Sequence, residues 1–308
     1  MNILITGGTG YLAWQLVNEF EKDNDRIAVL TSQPELASSL YVGKKVEVLG
    51  NDEVLSGSRL INGIDIVIHT AFCRKSNGRL LYDSLRFLED FALICVRDGV
   101  KGFINISSQS VYGNGEGPLP DETVKPDPGY LYAFAKLSSE LLLRQIVQNN
   151  STEMKFTNIR LASLIGPGKF IPDNVLSKFV VSALKGEAFH VVGGKQNFSF
   201  LDVRDAARAI FLFSAADPET WDLHYNLGPE KQTNMIEMAD EICSVSKEMY
   251  GLDAGYTFTP DDTFLNAGMN SEKLYAFLNW RPAISISQTI HDTVEGRYTE
   301  LNHSIRGN

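Results

Sequence analysis

Short runs that are apolar along their whole length recur through the first half of the chain. Longer stretches with a helical period separate them. The runs are Ile3–Thr6, Arg26–Thr31, Val46–Leu49, Asp65–His69, Gly102–Ser107 and Phe156–Leu161, and the helical stretches include Tyr11–Phe20, Leu80–Arg97 and Tyr130–Gln148. Strands without polar alternation must be buried on both faces, which predicts a parallel sheet wound with helices on each side. Such α/β sheets take their ligands at the carboxyl ends of the strands. After Ile165 the alternation breaks at Gly166-Pro167-Gly168. A helix is predicted at Val175–Lys185, strands at Phe189–Val192 and Phe198–Leu201, and helices at Arg204–Ser214, Asn234–Tyr250, Ser271–Leu278 and Ile286–Glu300. The expectation is a ligand-binding sheet domain over 1–165 that carries the reactive residues. A smaller α/β lobe for the substrate follows over 166–308, with room for some chain to return to the sheet. The Gly/Pro-rich stretch Gly113–Gly129 is longer than most connections, and loops of that length are often functional.

Composition narrows the class. The chain has 308 residues, with 44% hydrophobic and 21% charged, enough apolar material for a full core. Lys and Arg number 28 against 38 Asp and Glu, a net charge of −10. That balance makes nucleic acid a poor partner and leaves room for a local basic pocket. Cys73, Cys95 and Cys243 lie far apart with no metal spacing, which reads as reduced structural thiols and no metal site. No run reaches the ~18 apolar residues of a membrane helix, and the N-terminus enters a strand at once. The expectation is a cytoplasmic protein without membrane association, acting on a small molecule.

Three motifs carry chemistry. Thr6-Gly7-Gly8-Thr9-Gly10-Tyr11-Leu12-Ala13 follows the first strand and opens a helix. Gly7 permits a tight turn and Gly10 a close approach to a pyrophosphate. The backbone of Tyr11 and Leu12 offers N–H groups at the positive end of the helix dipole, and Ala13 keeps the helix close to the strand. This points to a dinucleotide. The second strand ends at Thr31-Ser32 with neither an acid for a ribose diol nor an Arg for a 2′-phosphate. Both hydroxyls can donate to a phosphate, so the choice between NAD and NADP leans to NADP. Asp52, after the third strand, is a candidate for the adenine amino group, with a solvated loop acid as the alternative.

Tyr132 and Lys136 stand four apart in a helical stretch and so share a face. A Tyr acting as a base near neutral pH requires a pKa about 3 units below its free value, or about 4 kcal/mol. A neighbouring ammonium, helped by a nicotinamide's positive charge, supplies such a drop. Ser108 closes the fifth strand, where a hydroxyl can bond a substrate oxygen and help it exchange a proton with Tyr132.

Together these elements resemble the extended short-chain dehydrogenase/reductase family, in its NAD-dependent epimerase/dehydratase branch that acts on sugar nucleotides. The resemblance spans nearly the whole chain. It rests on the glycine turn, on Asp65–Ala71 as a fourth strand ending in Thr70-Ala71 beside the cofactor, on Ser107-Ser108 through Val111-Tyr112-Gly113, and on Tyr132 with Lys136. Arg160 with Gly166-Pro167-Gly168, Asp202–Ala207, Tyr225–Gly228 and Asn279–Pro282 echo later landmarks. The resemblance implies a Rossmann-type fold and hydride transfer at a secondary alcohol or ketone. Tyr132 would exchange the proton, Lys136 would lower the Tyr pKa and bind the nicotinamide ribose, and Ser108 would place the substrate oxygen. It also implies a homodimer through the helices at 80–97 and 130–148, where Leu81, Leu85, Leu88, Ala92 and Cys95 form an apolar stripe.

Departures from the family pattern carry information too. Dehydratases of the family place Asp-Glu after the catalytic hydroxyl; here Gln109-Ser110 follows, so dehydration is not expected. The residues expected around the substrate are Ser110, Ser163, Phe198 and Arg204. Phe198 and Ser163 stand where sugar-nucleotide enzymes have an Arg and an Asn on the diphosphate, and a second Arg is replaced around Thr263-Phe264-Leu265. Lys169, Lys195 or Arg204 could substitute. The leading expectation is an NAD(P)-dependent epimerase or ketoreductase acting on a nucleotide sugar or related sugar. The alternatives are an NADPH-dependent reductase of a non-nucleotide carbonyl compound and a dinucleotide-sensing regulator that does no chemistry.

Overall fold

Both faces of the predicted strands are covered, as their unbroken apolar character requires. The computed structural model describes residues 1–23, 26–115, 117–193, 196–260 and 266–306. The first half runs β1 (Asn2–Thr6), α1 (Tyr11–Phe20), β2 (Arg26–Thr31), α2 (Pro34–Leu40), β3 (Val46–Gly50), α3 (Asn51–Leu55), β4 (Ile66–His69), α4 (Gly78–Arg97), β5 (Gly102–Ser108), α5 (Leu131–Asn149) and β6 (Lys155–Leu161). The strands and the helices α1, α4 and α5 lie within two residues of the sequence expectation at each boundary, and the short helices α2 and α3 are additions to it. Ile3, Leu4 and Ile5 are all fully buried, and they point to opposite sides. Ile3 and Ile5 join Ile68, Leu16 and Phe20 in one core, while Leu4 joins Phe103, Phe91 and Leu143 in the other.

The second half adds β7 (Ser163–Ile165), α6 (Val175–Leu184), β8 (Phe189–Gly193), β9 (Asn197–Phe198), β10 (Phe200–Asp202), α7 (Val203–Ser214) and β11 (His224–Leu227). There follow β12 (Thr233–Asn234), α8 (Met235–Tyr250), β13 (Tyr256–Pro260), β14 (Asn266–Ala267), α9 (Glu272–Leu278) and α10 (Ile286–Arg306). The large sheet has seven strands in the order β11-β6-β5-β4-β1-β2-β3, every pair parallel. This is the Rossmann-type α/β architecture expected from the pattern. The chain reverses its winding between β1 and β4, and at such a switch point the carboxyl ends of the strands open a crevice. β11 returns from the second half to pair with β6.

The lobe has its own core, with Phe179, Val180, Met238, Ile242, Ile290 and Val294 at its centre. One expected strand, Phe198–Leu201, divides. β9 pairs with β12 and β14, while β10 pairs with β7, so Ser199 is a corner between two small sheets. The long loop after β5 is tied down: the Pro120 carbonyl accepts from Asn270 N at 2.9 Å, and Glu122 Oε1 accepts from Asn226 N at 2.6 Å. Among the described residues no helix is long and apolar enough to cross a membrane.

Candidate active site

The turn from β1 into α1 is shaped by what a side chain would strike. Gly7 has φ +70°, a conformation that favours glycine, and a Cβ there would lie 3.0 Å from Ala71 Cα. A Cβ on Gly8 would come within 2.7 Å of Val29 Cβ, a constraint from the neighbouring strand that the motif alone did not reveal. Thr70 and Ala71 complete the turn: Thr70 Oγ1 donates to the Thr6 carbonyl at 2.6 Å, and Ala71 N donates to Thr6 Oγ1 at 3.2 Å. Gly10 caps α1 in an extended conformation, and no side chain satisfies the first-turn N–H groups. An uncapped helix start at a switch point is an anion site in waiting.

The Tyr11 side chain has a different job from its backbone. Its hydroxyl donates to the Gly166 carbonyl at 2.7 Å and clasps the loop after β7; burial pushes its pKa up. Thr31 is buried, and its Oγ1 accepts from Gln33 N at 3.1 Å. Ser32 and Asp52 are exposed at the carboxyl ends of β2 and β3.

Gly10, Tyr11, Leu12, Thr70, Ser108, Ser110, Tyr132, Lys136 and Ser163 all line one cleft of about 430 Å³. Ser108 Oγ accepts from Ser110 N at 3.2 Å and from Ser110 Oγ at 2.9 Å. It is also hydrogen-bonded to Tyr132, a contact that favours the tyrosinate. Lys136 is buried, and its Nζ donates to the Ile106 carbonyl at 2.7 Å. The same Nζ lies 3.9 Å from the centre of the Phe72 ring.

Burial brings the Lys136 ammonium down to about 7, against the pull of Glu140. Burial pushes Tyr132 up to about 12; Arg74 is the foremost influence in the other direction, and the Ser108 hydrogen bond also lowers it. The protein alone therefore does not deliver the drop that base chemistry at neutral pH requires. The reason is physical: an amine near 7 carries only part of a charge at that pH, and desolvation of the phenolate outweighs it.

Behind this face stands a buried polar chain. Ser107 Oγ donates to Glu140 Oε1 at 2.5 Å, and Arg160 grips Glu140 through Nε at 3.0 Å and Nη2 at 2.7 Å. Arg160 Nη1 donates to the Tyr112 hydroxyl at 2.9 Å, which donates to Asn226 Oδ1 at 2.8 Å. The chain of bonds ties α5 to β5, β6 and β11, so it fixes the helix that presents Tyr132 and Lys136.

A family model for NAD dependent epimerase/dehydratase proteins matches residues 3–228. The chain belongs to the NAD-dependent epimerase/dehydratase family. It is an enzyme of that family by descent, within the extended short-chain dehydrogenases/reductases. Its similarity extends to the mouse (Mus musculus) dTDP-D-glucose 4,6-dehydratase, at 24% identity over 95% of this chain and 87% of the relative. It is also 24% identical to UDP-glucuronic acid decarboxylase 1 of Arabidopsis thaliana, over 94% of this chain and 68% of the relative. Among solved structures, UDP-glucose 4-epimerase of Thermotoga maritima with UDP-glucose superimposes with a TM-score of 0.79 at 22% identity, covering 98% of this chain and 100% of that one. The Thermus thermophilus UDP-glucose 4-epimerase complex with NAD gives 0.80 at 20% identity, over 96% and 98%. These likenesses establish the fold.

Two residues expected around the substrate of this family member stand away from the cleft. Arg204 is held by Asp202, through Nε at 2.9 Å and Nη2 at 2.7 Å, and by Asp292 at 2.6 Å. It clamps α7 to α10 and is not among the residues that line the cleft. Phe198 stacks on Phe200 with ring centres 5.5 Å apart, against the core of the lobe. Lys169 is exposed; Lys195 and Thr263-Phe264-Leu265 lie outside the described residues.

The cleft holds residues that the sequence did not single out: Phe72, Arg74, Ser76 and Tyr130. Arg74 and Ser76 sit on the loop between β4 and α4, where no periodicity marks them. Arg74 is exposed and has no ion-pair partner among the described residues. It is the cleft's one free cation among those residues.

Proposed function

We propose that the protein transfers hydride at a secondary alcohol or ketone carbon of a nucleotide sugar, as an epimerase or ketoreductase with bound NAD. The observation that carries this reading is the meeting of Ser108, Tyr132 and Lys136 in the same cleft as the uncapped start of α1. The cradle fits a dinucleotide: glycines at 7 and 8 let the turn pack against Ala71 and Val29, where a Cβ would clash, and the first-turn N–H groups of α1 have no side-chain partner. NAD, when bound, supplies the hydride acceptor and donor. Gly10, Tyr11 and Leu12 would bind its phosphates through the backbone, and Thr70, Ala71 and Lys136 would lie along it. Tyr132 takes the proton of the substrate hydroxyl and returns it. Ser108, whose oxygen already accepts two bonds from Ser110, has its own proton to share between Tyr132 and the substrate oxygen. Lys136, kept in place by the Ile106 carbonyl, stabilises the tyrosinate in its charged form.

NAD is preferred over NADP because Thr31 and Ser32 at the strand end supply no cation for a 2′-phosphate: Thr31 is buried, and Ser32 is the only exposed hydroxyl of the pair. The solved Thermus thermophilus neighbour, a complex with NAD, supports the same choice. Against dehydration, no Asp or Glu is found among the described residues that line the cleft. Elimination requires a second acid or base beyond Tyr132, and Gln109 and Ser110 do not titrate in the useful range.

Mass spectrometry of dinucleotide released from the denatured protein tests the reading, followed by incubation with a panel of UDP- and dTDP-hexoses. Copurified NAD near one per chain and an epimerised product are expected. Binding of neither NAD nor NADP sinks the reading, and a 4-keto-6-deoxy product sinks the exclusion of dehydration.

Arg74 is proposed to face a phosphate of the cofactor or substrate. Arg74→Gln is expected to weaken dinucleotide or substrate binding by about tenfold to about 100-fold, the worth of a charged hydrogen bond. Fluorescence titration with NADH and the KM of the substrate report it; no change in either rejects the role.

A homodimer is proposed through α4 and α5. The stripe Leu81, Leu88, Ala92 and Cys95 packs inward, but Leu131 and Phe134 on α5 and Tyr82 and Leu93 on α4 are exposed. Light scattering is expected to give twice the chain mass for the wild type and the single-chain mass for Phe134→Glu. A wild-type monomer at micromolar concentration contradicts the assembly.

A further inference from the structure

We propose that a second pocket, against a different face of α5 from the cleft, binds a phosphate-type dianion, either the free ion or the head of a small phosphate ester. The pocket holds about 270 Å³ and shares no lining residue with the cleft. Lys125 enters from the long loop, Arg144 from α5, Arg160 from β6 and His224 from the edge strand β11. Leu137 and Leu141 supply an apolar wall. The proposal is independent of the redox reading, which uses none of these side chains at the substrate.

The charge inventory of the pocket is one-sided. Glu140 is its only carboxylate among the described residues, and it is already taken by two nitrogens of Arg160 and the hydroxyl of Ser107. Lys125 and Arg144 have no ion-pair partner among the described residues. In a chain of net charge −10, two unpaired cations beside a buried guanidinium at the edge of the sheet are conspicuous.

His224 registers the resulting field. Burial is the main cause that holds it down to about 4; Glu140 opposes this, and Arg160, Arg144 and Lys273 add to it. The imidazole is therefore neutral at pH 7, and its Nδ1 is buried without a hydrogen-bond partner, 3.5 Å from Glu140 Oε2.

The geometry selects the kind of anion. The two unpaired cations come from separate elements, the long loop and α5, so they approach a bound group from different directions. A tetrahedral oxyanion offers oxygens in all of them, whereas a carboxylate offers two in one plane. Arg forks suit phosphate oxygens, and Lys adds a point charge. The volume lies below the ~300–1,000 Å³ of pockets for larger ligands. That size suits a small anion or a phosphate monoester.

The test is calorimetric titration of inorganic phosphate into the full chain saturated with NAD, so that the cleft's own phosphate cradle is filled, at constant ionic strength with chloride. One saturable site per chain is expected. Lys125→Gln and Arg144→Gln should each weaken it by about tenfold or more, while Lys125→Arg retains it. Glycerol 3-phosphate in place of phosphate separates the two sources: binding of the ester means the site takes a phosphate head, and rejection of it means the site takes the free ion. Absence of saturable phosphate binding overturns the proposal, as do Gln variants that bind like the wild type, or malonate binding as tightly as phosphate. Should Arg144→Gln fail to fold, Lys125→Gln on its exposed loop decides. NAD uptake is measured first, so failure of the cofactor reading is seen separately; the titration then proceeds on Arg74→Gln, which lacks the cleft's free cation.

Discussion

Tyr132→Phe is expected to lower turnover by about 10² to about 10⁴-fold while leaving dinucleotide binding near the wild-type level. The substitution removes one oxygen and nothing else. The ring keeps its neighbours, Tyr130 at 6.3 Å in a stacked arrangement and Phe72 at 6.3 Å edge-on. Ser108 loses one partner but retains both bonds from Ser110, so the end of β5 stays in place. Loss of rate at constant affinity is the signature of a group that acts in the transition state. Single-turnover kinetics with the substrate that the wild type converts, beside an NADH titration, separates the two quantities. A Phe variant that keeps more than about a tenth of the activity would assign the proton transfer to another group. Normal biological effect from the inert variant would instead favour a dinucleotide-sensing role. Ser108→Ala is expected to cost less, because Tyr132 and Lys136 still face the substrate.

The parts of this molecule that were legible in its sequence are those whose causes are local. β1, β2 and α1 could be read almost to the residue because burial on both faces leaves unbroken apolar runs, and because Gly10 opens the helix at once. Tyr132 and Lys136 were legible because a helix converts a spacing of four into a shared face. What escaped had distant causes. Phe198–Leu201 reads as one strand, but its halves pair with β12 and β14 on one side and β7 on the other, and no local pattern encodes that division. Arg204 looks like a free cation beside a substrate lobe until Asp292, 88 residues away, is seen beside it. Gly8 is fixed by Val29 on the next strand, and Arg74 by a loop whose course only the sheet determines. The candidate chemistry was therefore visible earlier than the walls of the cleft that would choose its substrate.

Lys136→Met is expected to abolish activity and at the same time raise the stability of the dinucleotide-free protein, most strongly below pH 7. The sign follows from linkage. Burial lowers the pKa of this amine from 10.5 to about 7. Between those two values the unfolded chain carries a proton that the folded chain has released, so wild-type stability rises with pH across that window. Below about 7 both states are protonated, and the whole cost of burying the ammonium is present. The depression corresponds to at most about 5 kcal/mol. Removing the amine leaves the Ile106 carbonyl without its 2.7 Å donor, which costs about 1–3 kcal/mol, and forfeits the contact with Phe72. A net gain of roughly 1–3 kcal/mol is expected at pH 6, shrinking as pH climbs toward 10 and ending as a loss. Urea unfolding of both proteins at pH 6, 8 and 10 measures it. If the variant is less stable than the wild type at pH 6, Lys136 is a structural residue held comfortably by its surroundings. If it is more stable and inactive, the fold is carrying a buried charge at its own expense, which is the behaviour of a group retained for chemistry.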